Sequence, residues 1–170
     1  MKRFPLAILP LLAASAAFAG EVKLTIEIPR LEVAEYHRPY VAAWIQTPDG
    51  NVTKNLAVWY ATEMKDAEGE KWLKDIRQWW RKSGRSLKMP VDGVSGPTKP
   101  VGSHTVSVPV KVFDPAALPA GDYEVVVEAA REVGGREMLR LPFKWDGHAA
   151  VDASTQGKTE LGKIQFTITP

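Results

Sequence analysis

Apolar and polar residues alternate with a period of two along much of this chain, and this pattern constrains its fold more than any other feature. The first such segment places Val22, Leu24, Ile26 and Ile28 on one side of an extended chain and polar residues on the other. Strand-like segments recur at 40–46, 52–60, 106–112, 123–129, 138–143 and 164–168. About seven short strands with turn signals between them predict a mostly β fold, an immunoglobulin-like antiparallel β-sandwich.

Turn and helix signals separate these strands. Thr47-Pro48-Asp49-Gly50 predicts a hairpin, because Pro suits the second position of a type I turn and Gly accepts the positive φ that follows. Acidic residues precede an apolar stretch of helical period, basic residues follow it, and Ser83-Gly84 forms a C-terminal stop. These signals predict one amphipathic helix inserted at about 68–84, with an apolar face made of Trp72, Leu73, Ile76, Trp79 and Trp80.

The three tryptophans of this helix are interpreted as core residues, since a helix that covers a sheet must bury a broad apolar face. A stacking platform for a planar ligand is the alternative. Residues 85–103 are rich in Gly, Pro and Ser and are predicted to form a loop, and the polar, small residues of 145–157 are predicted to be mobile.

The N-terminus has the three parts of a secretory signal peptide. Lys2 and Arg3 form a basic start, an apolar stretch follows, and Ala17-Phe18-Ala19 has the small-x-small pattern of a cleavage site. We therefore expect residues 1–19 to be removed after Ala19, which leaves a single periplasmic domain, 20–170, that is not embedded in a membrane.

The composition excludes several classes of function. The chain has 22 basic and 20 acidic residues, and without Lys2 and Arg3 the two signs balance, so a field suited to nucleic acid is absent. No cysteine is present, which excludes thiolate catalysis and Cys-ligated metals. The three histidines, His37, His104 and His148, are far apart in the sequence, and no hydrolase motif occurs. These observations indicate a protein that is not an enzyme by itself and that has no predicted metal site.

Seven basic residues cluster between positions 71 and 88, including Arg77 and Arg81. A solvated helix face is the usual explanation of such a cluster, and a site for an anion or a phosphate group is the alternative in a neutral protein. Both interpretations stay open, and the cluster leads directly into the next segment of interest.

Asp92-Gly93-Val94-Ser95-Gly96-Pro97-Thr98 resembles the acceptor motif for covalent flavin in exported redox proteins. That motif is Asp, two residues, Ser or Thr, Gly, Ala, then Ser or Thr, and a periplasmic flavin transferase moves FMN from FAD onto the last hydroxyl. The resemblance implies that Thr98 is the acceptor and that Asp92, Ser95 and Gly96 are the flanking motif residues. Pro97 departs from the pattern, which has Ala there, and an ordinary Gly/Pro turn is the alternative.

Several longer strings resemble a family of predicted periplasmic proteins, domain of unknown function 2271. They occur in order across residues 22–145 and include Arg38–Ile45, Leu56–Trp59, Trp72–Asp75, Trp79–Arg81, Ser83–Arg85, Asp92–Thr98, Pro119–Tyr123 and Glu128–Glu132. The family resemblance implies an association with flavin transferases and with membrane proteins that have peptidase-propeptide-like domains, in settings that suggest iron or haem acquisition. Its Pro-Ala-Gly-Asp-Tyr string is similar to immunoglobulin-like modules in which Gly and Tyr open a strand.

Three hypotheses follow from these patterns. The first is a periplasmic redox accessory that carries FMN on Thr98, with the basic cluster at Arg77 and Arg81 holding the phosphate and a flavin transferase and an inner-membrane redox or iron-uptake protein as partners. The second is a non-catalytic binding module that docks to an envelope membrane protein through the loop 85–103 as its recognition surface. The third is a metal or haem chaperone that uses the histidines.

Overall fold

Nine strands form two sheets in the computed structural model, which describes residues 21–109 and 118–169. The strands are β1 Glu21–Ile28, β2 Tyr40–Gln46, β3 Val52–Tyr60, β4 Ser95–Pro97, β5 Gly102–Pro109, β6 Gly121–Ala130, β7 Arg136–Trp145, β8 Val151–Gln156 and β9 Lys163–Thr169. One sheet has the order β5-β1-β9-β8, and the other has the order β4-β3-β2-β6-β7. All pairs are antiparallel except β3 with β4. The predicted mostly β sandwich is confirmed.

The main core lies between the two sheets and consists of the residues that the period-two pattern places on one face. Val22, Leu24, Ile26 and Ile28 of β1 are all buried there, as the alternation predicts. They share one cluster with alternating residues of the other sheet, namely Val41, Ala43 and Ile45 of β2, Tyr123, Val125, Val127 and Ala129 of β6, and Leu141, Phe143 and Trp145 of β7. Burial of these apolar faces is the main favourable contribution to folding.

Tyr123 closes one end of β6 in the manner of a tyrosine corner. Its hydroxyl donates a 2.7 Å hydrogen bond to the carbonyl oxygen of Pro119, four residues upstream, and its ring stacks on Phe143 with centroids 5.7 Å apart. This device is found in immunoglobulin-like sandwiches, and it gives the Pro-Ala-Gly-Asp-Tyr string a structural role.

The opposite face of the five-stranded sheet is covered by the segment between β3 and β4. It contains a 3₁₀ helix, Lys65–Asp75, a short α-helix, α1, Arg77–Lys82, and a second 3₁₀ helix, Gly84–Ser86. Its apolar side chains form a second core with the outward residues of the sheet: Ala42, Trp44, Val58, Tyr60, Leu73, Ile76, Trp79 and Val126. The middle of the five-stranded sheet is therefore buried on both faces, whereas β7 leaves Arg140 and Lys144 exposed on its outward face.

The prediction of one continuous amphipathic helix at about 68–84 is wrong. The chain breaks at Ile76, which has φ −77° and ψ 74° between the first 3₁₀ helix and α1. The buried residues Leu73, Ile76 and Trp79 recur every three positions, which is the period of a 3₁₀ helix rather than that of an α-helix. Trp72 therefore faces solvent with 50% of its surface exposed, so the interpretation of all three tryptophans as core residues is also wrong.

Two short strands were not predicted. The predicted loop 85–103 contains the end of the second 3₁₀ helix, all of β4 and the start of β5. The predicted mobile segment 145–157 contains β8, which pairs with β9 along its whole length. Val151 and Ala153 pack partly against the main core, so a period of two is present in β8 but is carried by small residues.

Two carboxylates tie the sheets together at the end where β1, β3 and β6 finish. Glu137 of β7 accepts hydrogen bonds of 2.7–2.9 Å from the backbone N–H groups of residues 158–161, in the β8–β9 connection. Glu160 of that connection accepts bonds from Arg131 Nε at 2.8 Å and from the N–H of Gly135 at 2.9 Å. We call the loops gathered there, 29–39, 61–64, 98–101, 131–135 and 157–162, the loop end of the sandwich.

Some predictions concern residues outside the described ranges. They include the signal peptide at 1–19 with its cleavage site, strand residues Val110 and Val112, and the first half of the connection 114–121. Within 21–109 and 118–169, no helix has the length and apolar character needed to cross a membrane.

Candidate functional site: an acceptor edge and a basic pocket

The motif segment lies at the edge of the five-stranded sheet. Val94 accepts a 2.9 Å hydrogen bond from the N–H of Val58, and Thr98 donates a 3.1 Å bond from its own N–H to the carbonyl of Tyr60. Between these two bonds, Ser95–Pro97 pairs in parallel with Val58–Tyr60 as β4. We call residues 92–99 the acceptor edge. Its backbone turns at 92–94 and is extended over Ser95–Pro97, where it pairs with β3, and the side chain of Thr98 is half-buried.

Pro97 fits this edge without loss of a ladder bond. In a parallel pair, the residues whose backbone groups face the neighbouring strand alternate, and on β4 the carbonyl of Val94 and the N–H of Thr98 face β3. The nitrogen of Pro97 therefore faces away from β3, where a missing N–H costs nothing and discourages pairing with another strand. Proline in place of the alanine of the flavin-acceptor motif is therefore compatible with the conformation of the acceptor edge.

The motif residues before Thr98 have different local roles. Ser95 Oγ accepts a 2.9 Å hydrogen bond from the N–H of Val91 and closes the turn that leads into β4. Gly93 occupies that turn with φ 68°, where glycine is favoured. Asp92 is exposed. A Cβ built on Gly96 would lie 3.6 Å from Cδ1 of Trp59, an ordinary contact, so the fold itself does not require glycine at this position.

An aromatic and a cationic group flank the acceptor edge. Trp59 lies in the paired strand opposite Gly96 and is almost fully buried. The ammonium of Lys99 lies 5.5 Å from the centre of the Trp59 ring, a cation–π distance. His104 of β5 makes an edge contact with the same ring at 6.0 Å and a 2.7 Å hydrogen bond to the carbonyl of Pro100. Sequence reasoning missed Lys99, whose place directly after Thr98 was the available signal.

A cleft of about 320 Å³ lies between the helical segment and β7. Its walls are Lys74, Arg77, Gln78, Trp80, Arg81 and Arg136, and we call it the basic pocket. Arg77 and Arg81 lie four residues apart on α1 and therefore share one face of that helix. Trp80 is half-buried and supplies the aromatic wall.

Glu128 of β6 lies beneath this pocket and is fully buried. Its carboxylate accepts hydrogen bonds from the N–H of Gln78 at 2.9 Å and of Trp79 at 3.0 Å, and so satisfies the first turn of α1. It also accepts a 2.7 Å bond from Nη1 of Arg136. Sequence reasoning missed Glu128, because the strand pattern places it on a solvated face. The signal was Val126 on that same face, which indicates that something covers it.

The structure does not bring the predicted phosphate ligands Arg77 and Arg81 next to Thr98. One row of paired residues crosses the whole sheet, from the residue two before Thr98 to the residue after Arg136. It joins Gly96, Trp59, Val41, Ala129 and Glu137. Four strand spacings separate its ends, about 19 Å in all. The acceptor edge and the basic pocket therefore lie at opposite edges of one sheet, and Arg77 and Arg81 belong to the pocket.

The three histidines lie in different places. His37 contacts Glu35 and Glu132 at the loop end, His104 is on β5, and His148 follows β7 at the other end of the sandwich. Among the residues that the structure describes, no three His, Asp or Glu side chains are grouped as metal ligands.

Exposed apolar residues concentrate at the loop end. Of the six large apolar side chains that are exposed in the described ranges, five lie in its loops: Val33, Tyr36, Met64, Val101 and Val133. Thr98 begins the loop that contains Val101, so the acceptor edge leads into this apolar end. Exposed apolar residues gathered at one end of a domain make that end a candidate interaction surface.

The molecule is thus a β-sandwich with an edge segment of acceptor-like sequence and a separate cationic cleft. Residues 21–163 match the family described as predicted periplasmic protein, DUF2271, and the chain belongs to that family. No curated protein and no solved structure matches the chain.

Proposed function

We propose that this protein is a periplasmic accessory of an envelope redox system that carries FMN as a phosphoester on Thr98. The signal peptide, cleaved after Ala19, delivers the domain to the periplasm. A flavin transferase then joins Oγ1 of Thr98 to the FMN phosphorus of FAD. The diphosphate bond breaks, AMP leaves, and the hydroxyl proton passes to a base of the transferase or to solvent.

The observation that carries this proposal is the conformation of the acceptor edge. A transferase needs a hydroxyl that enters its active site on an extended, accessible segment. Thr98 follows an edge strand that is fixed to β3 on one side only, and Pro97 keeps the other side free of strand partners. Gly96 has room for a side chain within this fold. The flavin-acceptor motif nevertheless has glycine at this position, which points to an external partner that approaches the backbone closely.

Electron transfer is the role that a bound flavin supplies, and the protein positions it. Lys99 places a positive charge beside the attachment point, where it favours a phosphate group. The partners in this proposal are the flavin transferase and an inner-membrane redox or iron-uptake protein. The domain by itself catalyses no reaction.

The test is the intact mass of the protein purified after co-expression with a flavin transferase. An exported redox protein that carries the ordinary flavin-acceptor motif is co-expressed with the same transferase as a positive control. The proposal predicts one added FMN in the wild type and in Thr98→Ser, which keeps a hydroxyl, and none in Thr98→Ala. An unmodified wild type beside a modified control acceptor would contradict it.

A non-catalytic docking module is the second candidate, and the apolar loop end is the observation that favours it. Met64 and Val133 project from separate loops there, and each is more than 40% exposed. In this reading the loop end binds an envelope membrane protein, and the acceptor edge is only a turn and a short strand. The measurement is binding to that membrane protein. This candidate predicts an unmodified protein whose binding is lost in Met64→Ser/Val133→Ser and kept in Trp72→Ser, a control exposed outside the loop end.

A further inference from the structure

Four cationic side chains converge on the basic pocket although the formal net charge of the whole chain is only +2. Among the described residues, no carboxylate oxygen lies within 4.0 Å of the charged groups of Lys74, Arg77 or Arg81. Cations placed together on one helix face repel each other, and a concave surface lined by one sign of charge concentrates ions of the opposite sign. The arrangement is therefore suited to an anion.

The pocket is also held in shape. Glu128 is buried and binds both Arg136 and the first turn of α1, the helix that carries Arg77 and Arg81. One carboxylate thus sets the position of Arg136 relative to the other two arginines. Arg136 uses Nη1 for this bond, and a guanidinium has five N–H donors, so the others remain for a ligand. A preformed arrangement reduces the entropy that binding must offset.

The pocket chemistry selects a class of anion. Guanidinium groups bind pairs of phosphate oxygens in a forked geometry, which favours phosphate over a spherical anion. A cleft of about 320 Å³ lies in the size range of sites for small organic ligands. The half-buried indole of Trp80 forms an apolar wall beside the cations, suited to a ring or to the first part of an acyl chain.

We propose that the basic pocket binds a phosphate monoester whose ester group is a ring or an acyl chain, independently of any group attached at Thr98. Two sources can present this chemistry, a soluble phosphate ester and a phosphorylated lipid headgroup. Arg77, Arg81 and Arg136 hold the phosphate, and Trp80 contacts the organic part.

The soluble source is tested by calorimetric titration of the purified protein with phenyl phosphate, and with phenol as the probe that lacks phosphate. The lipid source is tested by co-sedimentation with phosphatidylcholine vesicles that either contain phosphatidate or lack it. Arg77→Gln/Arg81→Gln is the pocket variant. Arg85→Gln/Lys88→Gln is its matched control, because it removes two exposed positive charges of the same segment that do not line the pocket.

The proposal predicts that at least one of the two phosphate probes binds and that phenol does not. Binding weakens at least tenfold in the pocket variant and changes less than about twofold in the control. Binding by phenyl phosphate identifies a soluble ligand, and binding by phosphatidate vesicles alone identifies a lipid headgroup. Thr98→Ala binds as the wild type does.

No binding of either probe would overturn the proposal. Equal weakening in the pocket variant and the control would also overturn it, because it would show that only the net charge matters. Circular dichroism and the unfolding midpoint of both variants are measured beside the titrations. Neither variant changes a buried side chain, so both are expected to match the wild type.

Discussion

The acceptor edge and the basic pocket lie at opposite edges of one five-stranded sheet and are built in different ways. The acceptor edge is fixed to β3 by backbone hydrogen bonds, and among its side chains Ser95 closes the turn before β4. The basic pocket is lined mostly by long charged side chains, and one buried carboxylate, Glu128, anchors Arg136 and the first turn of the helix that carries Arg77 and Arg81. The comparison predicts that substitutions in the acceptor edge alter the proposed flavin attachment with little effect on stability, whereas a single change beneath the basic pocket lowers the stability of the fold.

Removal of Glu128 is expected to have the largest effect on stability. Glu128→Ala leaves the N–H groups of Gln78 and Trp79 without their buried acceptor, while the Arg136 side chain, 39% exposed, can turn to water. Unpaired N–H groups at this buried position lower the free energy of unfolding by about 3 kcal/mol. Urea unfolding measures this, with Glu132→Ala, an exposed carboxylate, as the control at about 0.5 kcal/mol or less. A loss below 1 kcal/mol for Glu128→Ala would contradict the anchoring role.

A pair of glycines separates the two regions directly. A Cβ at Gly84, beside the pocket helix, would lie 2.5 Å from Cζ3 of the fully buried Trp79, whereas a Cβ at Gly96 meets nothing closer than 3.6 Å. Gly84→Ala is therefore expected to lower the free energy of unfolding by about 2 kcal/mol through overpacking. Gly96→Ala is expected to change it by about 0.5 kcal/mol or less.

The same two glycine variants also test which region takes part in flavin attachment, which is measured by intact mass. Gly96→Ala is expected to abolish attachment although the protein stays folded, and Gly84→Ala is expected to keep it in the folded fraction. Equal stability losses in the two variants would show that the acceptor edge is packed as tightly as the helix side.

Glu137 at the loop end links stability to pH. Burial by itself raises the pKa of Glu137, but hydrogen bonds from the N–H groups of Lys158, Leu161 and Thr159 outweigh it and hold the pKa below the ordinary value of 4.5. The folded state therefore binds this proton more weakly than the unfolded state. Its contribution to stability is complete above that value and is lost as the pH falls through the folded pKa.

Glu137→Gln is accordingly expected to lower the free energy of unfolding by about 1.5 kcal/mol at pH 7. The difference from the wild type shrinks as the pH falls below 4.5. Urea unfolding across this range measures it, and Glu132→Gln is the exposed control. A difference that stays constant from pH 7 to pH 3 would contradict the assignment.

Pro97→Ala is expected to have the smallest effect on stability. No ladder hydrogen bond depends on position 97, so the main change is greater freedom of the unfolded chain, about 0.5 kcal/mol. The variant restores the flavin-acceptor motif. After co-expression with a flavin transferase, the fraction of protein that carries FMN is expected to equal or exceed that of the wild type. A lower fraction would show that the proline itself is recognised.

The sequence predicts the large strands well because their period-two pattern is carried by large apolar residues such as Ile26 and Phe166, which must be buried. It predicts β8 poorly because Val151 and Ala153 are the only apolar residues of that strand, and β4 poorly because three residues give too little pattern. The helical segment shows the effect of packing on local preference. Leu73, Ile76 and Trp79, three residues apart, all pack against the sheet. The segment predicted as one α-helix therefore folds as a 3₁₀ helix followed by a short α-helix.

For the candidate site, the motif could be found in the sequence, but its relation to the basic cluster could not. Arg81 and Thr98 are 17 positions apart in the chain, yet strand order separates their regions across the sheet. The pocket also depends on Arg136 and Glu128, which come from strands that the sequence does not connect to the helix. Residue spacing contains no information on such long-range contacts.

Flavin occupancy in three variants tests the central claim that the two regions are independent and that Thr98 is the acceptor. The measurement is the FMN-to-protein ratio by intact mass after co-expression with a transferase. The account predicts wild-type occupancy in Arg77→Gln/Arg81→Gln and in Arg85→Gln/Lys88→Gln, and none in Thr98→Ala. Loss of occupancy in the Arg77→Gln/Arg81→Gln protein would contradict it, because it would show that the pocket arginines act on the group at Thr98.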